Sequence, residues 1–157
     1  MSQIRVGVQI SYKGKSVNAI ALFDTGAETY AFIDTALAAK LGLPQGEAIG
    51  YSGIAGSDIG FKSAVDSLSL KDNPSCAVTN NVPVLVGTVT VPNVSMLIGE
   101  YFVKTTGMVT DFSKGSMTTA CKGGPTVAVS QPIPTEYWVL GGAALAALVA
   151  VVLFLGD

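Results

Sequence analysis

The chain has 157 residues, a formal net charge of −2 and no histidine, and 13% of its residues are charged. This length suits one domain with a hydrophobic core. Without histidine, the usual Ser/His and Cys/His nucleophile pairs and most zinc sites are excluded. No basic stretch is present, so we expect no nucleic-acid partner. Any hydrolytic chemistry has to come from the eleven carboxylates.

The first elements form a predicted hairpin that ends at an acid. Residues 4–10 alternate between apolar and polar side chains, as a half-buried strand does. Residues 13–15 (Lys-Gly-Lys) predict a turn, and residues 17–23 return as a second strand. Asp24 therefore lies directly at the end of a predicted strand.

A short helix and a glycine-rich hairpin come next. Residues 35–41 (TALAAKL) predict a helix that Gly42 closes, with Pro44 just beyond it. Residues 47–61 alternate loosely around several glycines and predict a glycine-tipped hairpin. The next predictions are a strand at 64–70, a polar loop at 71–81, and strands at 82–86 and 88–91 or one bent strand across both. A strand at 95–99, one helical turn at 100–105, and a hairpin of 108–112 with 115–119 follow. Together these elements predict a mostly β domain.

The stretch Asp24-Thr25-Gly26-Ala27 carries the strongest functional signal in the chain. It separates two mostly apolar runs, IALF before it and YAFI shortly after it. Burying a lone carboxylate in such surroundings is costly, so an acid at this position indicates a functional role.

The wider pattern resembles a retropepsin, a single-domain aspartic protease of the retroviral type. Besides Asp-Thr-Gly-Ala after an apolar strand, the chain has Leu-Gly-Leu-Pro at 41–44 and Leu-Ile-Gly at 97–99. The second of these is followed by Tyr-Phe at 101–102 and by Thr-Asp-Phe at 110–112. The resemblance covers about residues 4–119. It implies a retropepsin-like closed β-barrel, the half of an acid protease, with one short helix.

The resemblance also implies a catalytic loop and a flexible flap above it. Asp24 would activate water, Thr25 would join two such loops through hydroxyl hydrogen bonds, and Gly26 would allow close backbone approach. The glycine-tipped hairpin takes the place of the flap, under which an extended peptide would bind as an added strand. The residues expected to bind this peptide are Ala27, Tyr51, Ser52, Gly53, Ile54, Ala55 and Ile98. The mechanism requires neither a metal nor a cofactor.

A single Asp-Thr-Gly per chain implies that the second catalytic acid is Asp24 of another copy, so the expected active unit is a homodimer. Glu28 and Glu100 depart from the family pattern, because some retropepsins pair an acid with an arginine at these places. Either the dimer contact is built differently, or one glutamate turns to solvent. The alternative function is a non-catalytic binding or structural protein with the same fold, attached to a cellular or viral membrane.

The C-terminal part predicts a membrane anchor. Residues 138–155 form an uncharged apolar run of a length that can cross a bilayer as a helix. We therefore divide the chain into a protease-like domain at 1–119, a Pro/Gly-rich linker at 120–136 and a transmembrane helix at 137–156. A buried core helix is the alternative for the apolar run. The expected partners are thus a second copy, a peptide substrate and a lipid bilayer.

Two further predictions concern the side of the membrane and the state of the cysteines. Lys114 and Lys122 lie on the domain side of the apolar run, and Asp157 follows it, which favours a cytoplasmic domain. Cys76 and Cys121 fit no metal-ligand spacing. We predict two free thiols, and a disulfide between them remains the alternative.

Overall fold

The computed structural model describes residues 4–24, 26–53, 56–111 and 117–128, which form ten strands and two helices. The elements in chain order are β1 Arg5–Tyr12, β2 Lys15–Phe23, β3 Ala31–Asp34, α1 Thr35–Leu41, β4 Ala48–Gly53, β5 Gly56–Leu70, β6 Ala77–Gly87, β7 Met96–Ile98, α2 Glu100–Thr106, β8 Val109–Asp111, β9 Thr118–Ala120 and β10 Val127–Ala128.

Six strands close into a barrel. Their order is β1-β2-β7-β3-β6-β5, and a pairing between β1 and β5 completes the ring. The β2–β7 and β3–β6 pairs are parallel, and the other pairs of the ring are antiparallel. β4 pairs with β5 outside the ring, and β10-β9-β8 form a separate three-stranded sheet. The predicted mostly β closed barrel is confirmed.

The barrel interior is filled by alternate residues of its strands. In β1, Val6, Val8 and Ile10 are buried, and the residues between them point outward to varying degrees. This follows from the two-residue period of a strand. Leu68 of β5 and Phe102 of α2 are fully buried in the same cluster. Burial of each large apolar side chain stabilises the fold by about 1.5–3 kcal/mol.

The predicted helix α1 has the predicted bounds. Asp34 caps its start by accepting a hydrogen bond from the backbone N–H of Ala36 at 3.1 Å. Gly42 ends it in the left-handed conformation, with φ of 74°. Because α2 extends the predicted single turn to seven residues, the prediction of one short helix is wrong in number.

The predicted loop at 71–81 and strand at 88–91 also differ from the structure. β6 begins at Ala77, inside the predicted loop, and ends at Gly87, so residues 88–91 are a loop. Asn80 and Asn81 have positive φ, and asparagine tolerates this conformation better than most residues. They lie opposite a register shift in β5. Their polarity therefore indicates a strand irregularity and not a loop.

The two cysteines form a disulfide, so the prediction of free thiols is wrong. Cys76 and Cys121 are both buried, with 5.3 Å between their Cα atoms. Beside them, the buried Asn73 side chain donates to the backbone carbonyls of Thr119 at 3.1 Å and Pro125 at 3.2 Å. We call these five residues the C-terminal clamp.

The C-terminal clamp and the pairing of β10 with β9 join residues 120–128 to the part of the chain before them. The domain boundary at residue 119 stays a prediction. In the part of the chain that the structure describes, no helix is long and apolar enough to span a bilayer. The predicted anchor at 137–156 and the rest of the predicted linker lie outside the described residues.

Candidate active site

Asp24 lies at the end of β2, where the parallel pair with β7 finishes. Phe23 is in register with Ile98, and the Asp24 N–H donates to the Ile98 carbonyl at 2.8 Å. The chain then turns: the Gly26 N–H donates to Asp24 Oδ1 at 2.8 Å, and the Ala27 N–H donates to the Asp24 carbonyl at 3.2 Å. The carboxylate is therefore held by its own loop.

The loop that carries Asp24, residues 24–30, is attached to the start of α2. The Glu100 N–H donates to the Ala27 carbonyl at 2.7 Å, and the Tyr101 N–H donates to the Thr29 carbonyl at 3.2 Å. The first N–H groups of a helix have no partner within the helix, and Gly99 supplies no side-chain cap. The carbonyl groups of the active-site loop thus accept hydrogen bonds from the free N–H groups at the start of α2, and these bonds hold the loop in place.

Gly99 is required for this contact. A Cβ at this position would lie 2.1 Å from the Thr29 carbonyl oxygen and 2.7 Å from the Ala27 carbonyl oxygen. Because both contacts are with backbone atoms, the loop has to move to accept a methyl group. The Ile-Gly pair seen in the sequence therefore marks the point where α2 meets the active-site loop.

We expect Gly99→Ala to destabilise the protein by about 1–3 kcal/mol, the usual cost of overpacking. Urea unfolding would measure the free-energy change. Gly50→Ala is the matched control, because a Cβ at Gly50 would meet no atom within 4 Å. Equal unfolding midpoints for the two variants would contradict the role given to Gly99.

Burial raises the pKa of Asp24 above its ordinary value of 3.8. Desolvation is the larger effect, and the hydrogen bonds donated by the backbone N–H groups of Gly26 and Ala27 oppose it. A carboxyl group in these surroundings retains its proton to a higher pH than a solvated aspartate. This behaviour suits a group that gives and takes protons.

The raised pKa predicts how stability depends on pH. A carboxyl whose pKa is raised by folding contributes stability below its unfolded pKa and loses it as the pH rises through the folded pKa. The side chain introduced by Asp24→Asn cannot ionise, so this variant avoids the cost of a partly buried negative charge. It should therefore be more stable than the wild type near pH 7. The difference should vanish near pH 3. Urea unfolding at both values would measure this, and an Asp24→Asn protein less stable than the wild type at neutral pH would contradict it.

The flap hairpin consists of β4 and residues 56–61 of β5. Its strands pair in register from Ala48 opposite Phe61 to Gly53 opposite Gly56, which confirms the predicted hairpin. Tyr51 and the backbone of Ser52 and Gly53 lie in β4. The predicted contacts Ile54 and Ala55, and the predicted catalytic residue Thr25, lie outside the described residues.

Two predicted substrate contacts are buried inside the domain. Ile98 is fully buried in the main core, and Ala27 is fully buried in a second apolar cluster. In this conformation neither side chain is open to a ligand. Ile98 serves the site through its carbonyl, which holds the Asp24 N–H. All three residues of β7 are buried, so its sequence contains no alternation that could reveal which side chain faces the site.

The second apolar cluster connects the active-site loop to the flap hairpin. Sequence reasoning missed this cluster, because its members come from separate strands and from the loop after β6. Its buried members are Leu22, Ala27, Phe32, Val91, Val94 and Leu97, and its partly buried members are Ile20, Tyr51, Leu85 and Val89.

Glu28 and Glu100 share a cation as a neighbour. Glu100 forms an ion pair with Lys104 one turn later in α2, and the exposed Glu28 also interacts electrostatically with Lys104. Within the described ranges, no three acidic or cysteine side chains group together as a metal site.

A closed β-barrel with an aspartate at a strand end, in a glycine-containing loop attached to a short helix, defines the class of acid-protease-like domains. The sequence matches the aspartyl protease family over residues 8–102. The chain therefore belongs to the aspartyl protease family.

The first of two similar solved structures supports the same fold. A retropepsin-like aspartic protease from Rickettsia conorii has a TM-score of 0.51 and 15% identity, covering 81% of this chain and 89% of that chain. The retroviral protease-like domain of Ddi1 from Leishmania major has a TM-score of 0.49 and 15% identity, covering 83% of this chain and 96% of that chain. A comparison with curated proteins gave no match.

Proposed function

We propose that this protein is an aspartic endopeptidase whose active unit is a homodimer, with one Asp24 from each chain. The observation that carries the proposal is the position of Asp24. It lies at the end of a barrel strand, partly buried, with its carboxylate accepting from the Gly26 N–H at 2.8 Å. Membership of the aspartyl protease family supports the same chemistry.

The reaction requires two carboxyl groups that face one water molecule. Two such groups at hydrogen-bonding distance cannot both ionise, so they share one proton and titrate as a pair. The ionised Asp24 takes a proton from the water, and the water oxygen attacks the peptide carbonyl carbon. The protonated Asp24 donates to the carbonyl oxygen, and a proton then passes to the leaving amine. Desolvation within one chain already raises the pKa of Asp24, which favours its protonated form.

The fold supports an extended peptide as substrate. In the described sheets β4 pairs with β5 alone, so its other edge is free to approach an added strand. Backbone hydrogen bonds to such a strand give affinity, and apolar pockets give specificity. Ser52 and Gly53 lie at the flap end of β4 and are the proposed backbone contacts.

We further propose that the segment at 137–156 anchors the protein in a membrane, with the domain on an oxidising side. The apolar run in the sequence supports the membrane anchor. The Cys76–Cys121 disulfide supports the oxidising side, because disulfides persist in oxidising compartments and are rare in the cytosol. This replaces the cytoplasmic side that two lysines favour.

Thiol labelling of cells that are lysed directly into denaturant tests whether the domain lies in an oxidising compartment. A maleimide polymer added after denaturation should shift the protein only when a reductant is also added. A shift without reductant would show free thiols and contradict the oxidising location.

Cleavage of a diverse peptide library by the full chain in detergent tests the enzyme. We expect hydrolysis at mildly acid pH that a pepstatin-type inhibitor blocks. If a folded and dimeric preparation cleaves no peptide between about pH 4 and 7, the proposed activity is wrong.

A further inference from the structure

We propose that Tyr51 is a positioning residue that latches the flap hairpin to the barrel loop 87–89. This inference rests on the proposed function for its effect on catalysis, although the latch itself is a property of the fold. Tyr51 was expected to contact substrate, but its hydroxyl is already used within the chain.

The Tyr51 hydroxyl acts as donor and acceptor at once. It accepts from the backbone N–H of Thr88 at 3.0 Å and donates to Asp58 Oδ2 at 3.2 Å. Thr88 follows β6 of the barrel, and Asp58 lies on the second strand of the flap hairpin, directly opposite Tyr51. One side chain therefore ties both flap strands to a barrel loop.

The ring of Tyr51 lies in a space that two glycines leave open. A Cβ at Gly87 would come within 2.9 Å of the ring and the hydroxyl of Tyr51, and within 2.6 Å of the Phe32 ring. A Cβ at Gly60 would lie 3.2 Å from the Tyr51 ring. The Phe32 ring packs against Tyr51 edge-on, with 5.2 Å between centroids. A side chain larger than hydrogen at Gly87 would displace Tyr51.

Asp34 also holds the barrel loop 87–89, which Tyr51 contacts. The Val89 N–H donates to Asp34 Oδ1 at 3.0 Å, next to the Thr88 N–H that Tyr51 holds. Asp34 also caps α1, so the loop is fixed to the barrel wall. Tyr51 thus joins a hairpin that lies outside the ring to a loop that the ring holds in place.

The latch connects to Asp24 through the second apolar cluster. Tyr51 packs against this cluster, and Ala27 of the active-site loop lies inside it. A flap that is held at the Tyr51–Asp58 pair, midway along its two strands, closes over substrate at a smaller cost in ordering than a free one. Loss of the latch therefore weakens ground-state and transition-state binding equally, which raises KM and leaves kcat unchanged.

Hydrogen exchange of the full chain carrying Tyr51→Phe tests the latch without any need for activity. We expect backbone amides of residues 48–53, 56–61 and 86–89 to exchange about tenfold faster, because a tenfold change corresponds to the net stabilisation that one hydrogen bond gives. Amides of β1 and β2 should be unchanged. Tyr12→Phe is the matched control, because it removes a tyrosine hydroxyl at the far end of β1 and should alter neither segment.

Asp58→Ala provides a second variant if Tyr51→Phe folds poorly, since Asp58 is exposed and the change removes only one partner of the hydroxyl. It should speed exchange of the same segments by a smaller factor. Unchanged exchange in both variants would overturn the latch. In peptide assays, Tyr51→Phe should raise KM about tenfold with kcat retained, and a fall in kcat at unchanged KM would also overturn it. Faster exchange in a protein that cleaves nothing would support the latch and refute the peptidase.

Discussion

Asp24→Asn is expected to lower peptide cleavage at least about a thousandfold while the barrel remains folded, because the amide cannot take the proton of the attacking water. The oxygen of the new amide can still accept from the Gly26 N–H, which holds the carboxylate at 2.8 Å in the wild type. The loop geometry should therefore persist. Initial rates on one cleaved library peptide, together with circular dichroism of both proteins, would measure the effect.

Asp66→Asn is the matched control for this substitution. Asp66 is exposed on β5 and accepts from the Lys13 N–H, far along the chain from the site. It should cleave at the wild-type rate. Full cleavage by the Asp24→Asn protein would refute the mechanism.

Mixing the Asp24→Asn protein with the wild type tests the homodimer directly. If subunits exchange, random pairing of equal amounts leaves about a quarter of dimers with two Asp24 residues, against half without exchange. The activity of the mixture should therefore fall to about half the summed activities of the two proteins measured separately. A mixture that keeps the full sum after exchange has been shown by crosslinking would contradict a shared site.

The Cys76→Ala/Cys121→Ala double variant is expected to lose about 4 kcal/mol of unfolding free energy. In the chain-entropy treatment, the loss follows from opening a loop with a sequence separation of 45. Removal of two buried sulfur atoms adds to it. Urea unfolding followed by fluorescence would measure the difference.

Single cysteine variants separate the crosslink from local packing. Either Cys76→Ala or Cys121→Ala alone breaks the disulfide, so each should cost nearly as much as the double change. Two single losses that simply add to the double loss would show independent packing effects and contradict a stabilising crosslink.

Local sequence signals were sufficient for the elements on which the site is built. The alternation of β1, the turn before β2 and the helix from Thr35 to Leu41 each depend on neighbours in the chain, so pattern and cap residues predict them. Asp24 was found for the same reason: a strand and a Gly turn on either side of an acid are local features.

Features that depend on contacts between distant residues could not be predicted from the sequence. The disulfide joins segments far apart in the chain, and the hydroxyl of Tyr51 meets Thr88, 37 residues away. Ile98 was expected to contact substrate, whereas its side chain lies with that of Met96 in the main core. Such outcomes follow from the closure of the ring, which no short window of sequence contains.

The C-terminal clamp also determines how the domain would carry mechanical load. A pull from the C-terminal side first reaches β10, whose two residues are joined to β9 by a short antiparallel pair. Beyond it, tension enters Cys121 and crosses the covalent bond to Cys76. Once the pair of β10 with β9 has separated, the chain between these cysteines, which includes β7, Gly99 and α2, lies outside the covalent path of the load. A tethered domain could thus be under strain while the supports of its active-site loop remain relaxed.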